Sequence, residues 1–307
     1  MGGLDRGALT GAAAEAPPTV GAEPLTGAWC PDWPAPAGVL ALMSSRQGGV
    51  SAAPFDSLNL RPPGLRGDAV DLPLAVAENQ RRFAAALGAT PVWLDQVHGT
   101  RVVRLGAADL APGAALWQAD ASISTSPGVA CAVLVADCLP VLFCSDDGRA
   151  VGAAHAGWRG LAAGVLDHTV AALCAAAHCA PERLIAWLGP CIGPLAFEVG
   201  AEVLTAFGAD PSPPGQPADG AALRDASGRT PAAAAQDARF VFSPRADGSP
   251  RWRANLPLLA RQRLVALGLR QVAGGQWCTA SDASRFFSFR REGRTGRLAA
   301  AVAVAGR

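Results

Sequence analysis

VACAVLVADCLPVLFCSDDGRAVGAAHAGWRG, residues 129–160, is the stretch whose reading decides the fold. Asp, Pro and Gly cut it into three short apolar runs, Val129–Ala136, Val141–Cys144 and Val151–Ala154. Runs this short, bounded by turn residues, read as buried strands, because helices need about ten or more residues. Working outward, Val92–Val97, Val102–Leu105, Ile185–Leu188 and Leu298–Val304 show the same pattern. Longer segments read as helices: Leu74–Leu87, Leu161–Ala177, Ala201–Phe207 and Leu256–Leu267. In the last, Leu256, Leu259, Leu264 and Leu267 keep close to the spacing of one buried helical face. Strands cluster instead of alternating strictly with helices, which predicts an α+β architecture with mixed β-sheets over a doubly wound parallel sheet.

A single domain is expected over residues 37–307. Residues 1–36 are rich in Ala, Gly and Pro without periodicity and read as a disordered leader. Residues 210–237 have the same character and read as a long loop on that domain.

Composition removes several function classes. The net charge of +1 gives no electrostatic reason for a nucleic-acid or anionic membrane partner. There is no lysine and no tyrosine, so Schiff-base chemistry and tyrosine acid–base roles are excluded. No stretch approaches the roughly 20 apolar residues that cross a bilayer, and the N-terminus lacks an export-signal pattern. The eight cysteines form no spaced framework, which points to reduced cytosol.

Two of the four histidines and one cysteine stand out. His98 in WLDQVHGT, Cys138 in LVADCLP and His155 in VGAAHAGWRG each fall at or just past the end of a predicted strand. Imidazole and thiolate are preferred zinc ligands, and three protein ligands leave a fourth position open, as in catalytic sites. The residues are 40 and 17 positions apart, so only tertiary folding can bring them together. Taken singly, each also reads as a buried histidine or thiol that serves only packing. Asp137 lies next to Cys138 and is a candidate proton shuttle, although neighbours on a strand point to opposite faces. A second set is cationic: Arg46 in SSRQGGVS, Arg159 in HAGWRG, and Arg285, Arg290, Arg291, Arg294 and Arg297 near the C-terminus. Forked guanidinium groups beside Gly-rich turns suit phosphate or carboxylate, whereas Arg294 and Arg297 read equally well as solvated surface residues. His168 and His178 have no matching partner ligand, and GPCIGP at 189–194 reads as a rigid turn that could border a pocket.

The segments SSRQGGVS with FDSLNL, DQVHGTRVV, ADCLPVLF, GAAHAGWRGLAAGVL, LGPCIGPLAFEVG and GGQWCTASDASRFFSFRREGRTGR resemble, in order, one family. It is the multicopper polyphenol oxidase (laccase-like) family, also called the YfiH-type purine nucleoside phosphorylase or peptidoglycan-editing factor family. The resemblance covers about residues 38–305. It implies an αββα-layered sandwich related to bacterial toxin deamidases, and one Zn2+ held by His98, Cys138 and His155. It further implies phosphorolysis of adenosine, inosine, guanosine and methylthioadenosine, deamination of adenosine, and a pocket lined by Arg46, Asn59, Arg159 and Arg290. A homodimer is compatible with it.

The residues arbitrate among the family's labels. A multicopper oxidase needs about ten histidines for its copper sites, which are built largely from imidazole. Four cannot supply them, so copper is disfavoured. A metal-free Cys–His hydrolase or amidase acting on cell-wall precursors, with Cys138 as nucleophile and His155 as base, stays open. So does a binding module in which zinc only clamps strands.

Overall fold

In a computed structural model that describes residues 24–65, 70–214 and 237–306, the apolar runs pair into stacked sheets. The N-terminal half runs β1 (Val39–Met43), α1 (Pro73–Leu87), β2 (Thr90–Val92), β3 (Leu94–Asp95), β4 (Val102–Leu105), β5 (Trp117–Gln118), β6 (Ala121–Ser124) and β7 (Val129–Val135). It continues through β8 (Leu139–Ser145), β9 (Val151–Ala156), α2 (Trp158–Ala163), α3 (Val165–Ala177), β10 (Leu184–Leu188), β11 (Glu198–Val199) and α4 (Ala201–Ala206). The C-terminal part holds β12 (Phe240–Phe242), β13 (Trp252–Ala254), α5 (Leu256–Ala266), β14 (Gln271–Gly274), α6 (Phe289–Glu292) and β15 (Leu298–Val304).

One sheet has the order β1-β15-β7-β2 and the larger one β14-β10-β8-β9-β6-β4, and both mix parallel and antiparallel pairs. Period-two alternation explains why their central strands are apolar on both faces. In β7, Cys131, Val133 and Val135 point between the sheets, where they meet Leu142 and Cys144 of β8. Ala130, Ala132 and Leu134 point the other way, toward Phe83 and Leu87 of α1. On the outer face of the large sheet, Val141 and Phe143 pack with Leu166, Val170 and Leu173 of α3 and Leu259 and Leu264 of α5. The result is helix, sheet, sheet, helix: the mixed α+β single domain with the expected αββα layering.

Several boundaries differ from the sequence expectation. The helix expected over Leu161–Ala177 starts at Trp158 and breaks at Gly164, whose φ of 99° is a left-handed conformation that glycine adopts freely. Val92–Val97 is split between β2 and β3, each of which joins a different sheet. His155 lies inside β9 rather than past its end. Residues 24–36 of the expected leader are described and packed: Trp29 pairs with Met43 through two backbone hydrogen bonds and its ring lies 6.0 Å from that of Trp277. Large indole surfaces give this stretch apolar area to bury, which its Ala, Gly and Pro content concealed. Residues 1–23 and most of the 210–237 loop lie outside the described residues.

Phe83 is fully buried between α1 and the small sheet. Phe83→Ala should cost about 3–5 kcal/mol of stability in denaturant unfolding. A loss within measurement error would show that α1 does not carry the outer layer.

Candidate metal centre

The site is assembled where the two large sheets exchange chain. Cys138 sits in the link from β7 of the small sheet to β8 of the large one, His155 is in β9, and His98 follows β3. Their ligand atoms lie within 4.8 Å of one another, with 3.6 Å between His98 Nε2 and Cys138 Sγ. Tetrahedral zinc with Zn–N near 2.05 Å and Zn–S near 2.3 Å requires an N···S separation of about 3.6 Å. That separation matches tetrahedral zinc, and the three residues together could hold a metal ion.

Asp120 organises this set. The β6–β9 ladder pairs Ala121 with Ala154, so the preceding Asp120 falls opposite His155. Its fully buried carboxylate accepts from His155 Nδ1 at 2.8 Å and from the backbone N–H groups of Val97, His98 and Gly99 at 3.1, 2.8 and 2.7 Å. The first contact turns His155 Nε2 toward the other ligands, as a carboxylate–histidine–metal arrangement requires. The three backbone contacts hold His98 at φ 61°, a region that few non-glycine residues occupy. Gly157 completes the cradle, since a Cβ there would stand 2.8 Å from the His98 ring and 3.0 Å from Cys138 Sγ.

The electrostatics follow from this packing. Burial pushes the Cys138 thiol up, but His155 and His98 outweigh it and bring it down to about 6. Burial likewise pushes His155 down, while the Cys138 sulfur and the Asp120 carboxylate outweigh it and raise the imidazole to about 9. Both shifts favour a thiolate beside an imidazolium.

The three residues line a cavity of about 790 Å3 together with Asp137, Arg159, Arg290, Arg61, Arg294 and Arg297. Its apolar wall includes Leu94, Leu134, Ile192, Phe197 and Leu256. Arg159 stacks on Trp158 at 4.3 Å and forms no hydrogen bond or ion pair among the described residues. Arg290 lines the cavity too, but its guanidinium donates to the carbonyl oxygens of Ala196 and Glu198. Two expected pocket residues are not brought to the wall. Arg46 is held by Glu292 at 2.8 Å and by the carbonyl oxygens of Asp56 and Ala283. Asn59 is fully buried behind the wall. Asp137, at φ 95°, accepts from Thr279 Oγ1 and from the Arg290 backbone N–H, both at 2.6 Å. His168 contacts the Thr100 carbonyl and His178 ends α3, so neither joins the ligands. The GPCIGP turn does border the cavity, through Ile192. Sequence reading missed Asp120, although an acid between alanines in WQADASIS was a visible oddity.

An α+β sandwich whose arginine-bearing cavity is lined by a His–Cys–His set that could hold a metal ion defines an enzyme-like class. The model of the family described as multi-copper polyphenol oxidoreductase laccase matches residues 40–305, and the chain belongs to that family. A purine nucleoside phosphorylase of Pseudomonas aeruginosa is 49% identical over 276 residues, covering 90% of this chain and 98% of that protein. The purine nucleoside phosphorylase YfiH of Escherichia coli is 44% identical over 274 residues, covering 89% and 96%. Among solved structures, Neisseria meningitidis protein NMB0706 superposes with a TM-score of 0.73 at 38% identity, covering 92% of this chain and all of that one. YlmD of Geobacillus stearothermophilus gives 0.71 at 28% identity, covering 88% and 93%. No helix among the described residues is long and apolar enough to cross a membrane.

Asp120→Asn should weaken cation affinity about 10- to 100-fold in a chelator competition, and unchanged affinity would remove its organising role. In chelator-stripped protein, thiolate accumulates as pH rises. Cys138 should therefore alkylate with a half-maximal rate near pH 6 instead of near the ordinary thiol value of 9. A midpoint near 9 would refute the thiolate–imidazolium pair.

Proposed function

We propose that this chain is a zinc-dependent purine nucleoside phosphorylase that transfers the ribosyl group of adenosine, inosine, guanosine or methylthioadenosine to phosphate, and that it also deaminates adenosine. The observation that carries the reading is the His98–Cys138–His155 set lining a cavity shared with Arg159, whose guanidinium forms no hydrogen bond or ion pair among the described residues. The names of relatives at 44–49% identity support the same chemistry.

Zinc is favoured over copper by the donors present. Two imidazoles reach the site, and a three-copper cluster needs several more. A single blue-copper centre shares the His2Cys set, but its usual axial methionine has no counterpart among the cavity-lining residues. Bound zinc would supply Lewis acidity and a water of lowered pKa. The chain's own residues do the rest. The apolar wall of Leu94, Leu134, Ile192, Phe197 and Leu256 offers purine-sized contact, and the cavity volume suits a nucleoside with phosphate. Arg159, swinging from its Trp158 stack, can pair with an oxyanion through a two-pronged contact. Both oxygens of Asp137 already accept short hydrogen bonds, which favours a positioning role over proton transfer. Asp137 ties the Cys138 segment to Thr279 and α6, and the Ile192 N–H joins its carbonyl oxygen at 2.9 Å.

The low thiol pKa of Cys138 beside His98 also suits a metal-free Cys–His hydrolase acting on cell-wall precursors. Elemental analysis separates the two readings. Purified protein should carry about one zinc per chain and convert inosine plus phosphate into hypoxanthine and ribose 1-phosphate. Cys138→Ser should lose both the metal and at least about a hundredfold in turnover. Full activity in that variant would defeat both readings, and activity in zinc-free protein with fast Cys138 alkylation would favour the hydrolase.

A further inference from the structure

The GPCIGP turn that borders the cavity meets the Trp277–Thr279 stretch in an isolated parallel β-bridge, and the bridge partners are Cys191 and Cys278, both free thiols. The Thr279 N–H donates to the Cys191 carbonyl at 2.9 Å. Backbones paired in this way stand about 4.8 Å apart, inside the roughly 4.4–6.8 Å between Cα atoms that a disulfide spans. Gly193, two residues on from Cys191, completes the fit. A Cβ there would lie 2.9 Å from Cys278 Cβ and 3.1 Å from its sulfur, so a residue without a side chain is what lets Cys278 lie against the turn.

The two thiols are unequal. Cys191 is fully buried, whereas Cys278 is half-buried and open to small solutes. The Cys278 sulfur accepts the Gly193 N–H at 3.2 Å and the Ser281 hydroxyl at 3.1 Å. Two donors aimed at one sulfur favour its thiolate, which is the reactive form. Burial pushes the Cys278 thiol up, but the Ser281 and Gly193 donors outweigh it and bring it below its ordinary value. Burial instead drives Cys131 and Cys144 up to about 12. An accessible thiolate with a second thiol on the paired backbone has the makings of a peroxide-sensitive couple.

We propose that Cys278 is a peroxide-reactive thiol and that Cys191 resolves its oxidised form into a Cys191–Cys278 disulfide, so that the pair is a redox modification site beside the cavity. The Cys278 thiolate attacks one oxygen of hydrogen peroxide, the O–O bond breaks, hydroxide leaves, and the sulfur becomes a sulfenic acid. The Cys191 thiol gives its proton to that hydroxide, its sulfur bonds to Cys278, and the S–O bond breaks. Two thiols and one peroxide thus yield one disulfide and two waters, the sulfurs being oxidised and the peroxide reduced. In a reducing compartment such a bond is transient and reports the oxidant. Both segments hold Asp137, through the Ile192 N–H on its carbonyl at 2.9 Å and Thr279 Oγ1 on its carboxylate at 2.6 Å, so the bond would close a loop around the residue that precedes Cys138. The proposal does not depend on which reaction the cavity performs.

The test is hydrogen peroxide treatment of the folded, as-purified protein, followed by alkylation of the remaining thiols, cleavage after arginine and mass spectrometry. Cys191 and Cys278 fall on the separate peptides 184–224 and 271–285, whereas Cys174 and Cys179 share residues 160–183, so the expected linkage has a mass of its own. The two peptides should appear joined and lighter by two hydrogens, and a reductant should release them. Cys278 should be lost from the alkylated pool at least about tenfold faster than Cys131 or Cys144. In Cys191→Ser, Cys278 should be trapped by dimedone as a sulfenic acid, and in Cys278→Ser, Cys191 should stay alkylatable after unfolding. The unsubstituted protein decides the matter even if neither variant folds. A Cys278 that survives peroxide as slowly as Cys131 overturns the proposal, and so does its linkage to any cysteine other than Cys191.

Discussion

The carboxylate of Asp120 is the constraint on which the site depends. An acid at complete burial is costly unless its oxygens are fully satisfied. Here an imidazole and three successive backbone N–H groups satisfy it. The same contacts that stabilise the charge fix both His155 and His98, one through its ring and one through its backbone. The unusual φ of His98 is thereby offset locally, in keeping with the tendency of strained backbone to persist where neighbours over-determine it.

A second layer of polar groups does for the arginine wall what Asp120 does for the floor. Asn79 and Asn59 supply amide groups that no solvent reaches, and their partners are mostly backbone. Guanidinium groups around the cavity consequently differ in freedom. Arg290 is spent on carbonyl oxygens, Arg294 lies over Phe55 at 5.3 Å, and among the described residues Arg159 rests on an indole alone. Charge count alone would have ranked them as equals.

The clustering of His98, Cys138 and His155 could be looked for in the sequence because histidine is scarce in this chain and each of the three marks the edge of an apolar run. The central strands were legible for a related reason: sheets covered on both faces leave continuous apolar runs such as Val129–Val135 and Leu298–Val304. Short strands were not, whether built of small and polar residues like β6 or only three residues long like β12, since their pairing depends on neighbours far away in sequence. Asp120 escaped notice because its partners lie 21 to 35 residues away and are found only through the β6–β9 register. Asn59 and Arg46 sit in motifs that resemble those of the family, yet a motif does not say whether a side chain faces the cavity or supports it. Arg297 read equally well as a surface residue because nothing local reveals that its backbone N–H is held by the buried Asn59 side chain.

The position of Cys138 has a mechanical consequence. The polypeptide leaves one sheet at Val135 and enters the next at Leu139, so the sulfur occupies the crossing between layers, and His155 faces it from the second layer alone. A cation there would rivet the two layers together. Ion exchange and the breathing of the sandwich would then be one motion, and any solute able to wedge the layers apart would loosen the rivet without touching the cavity.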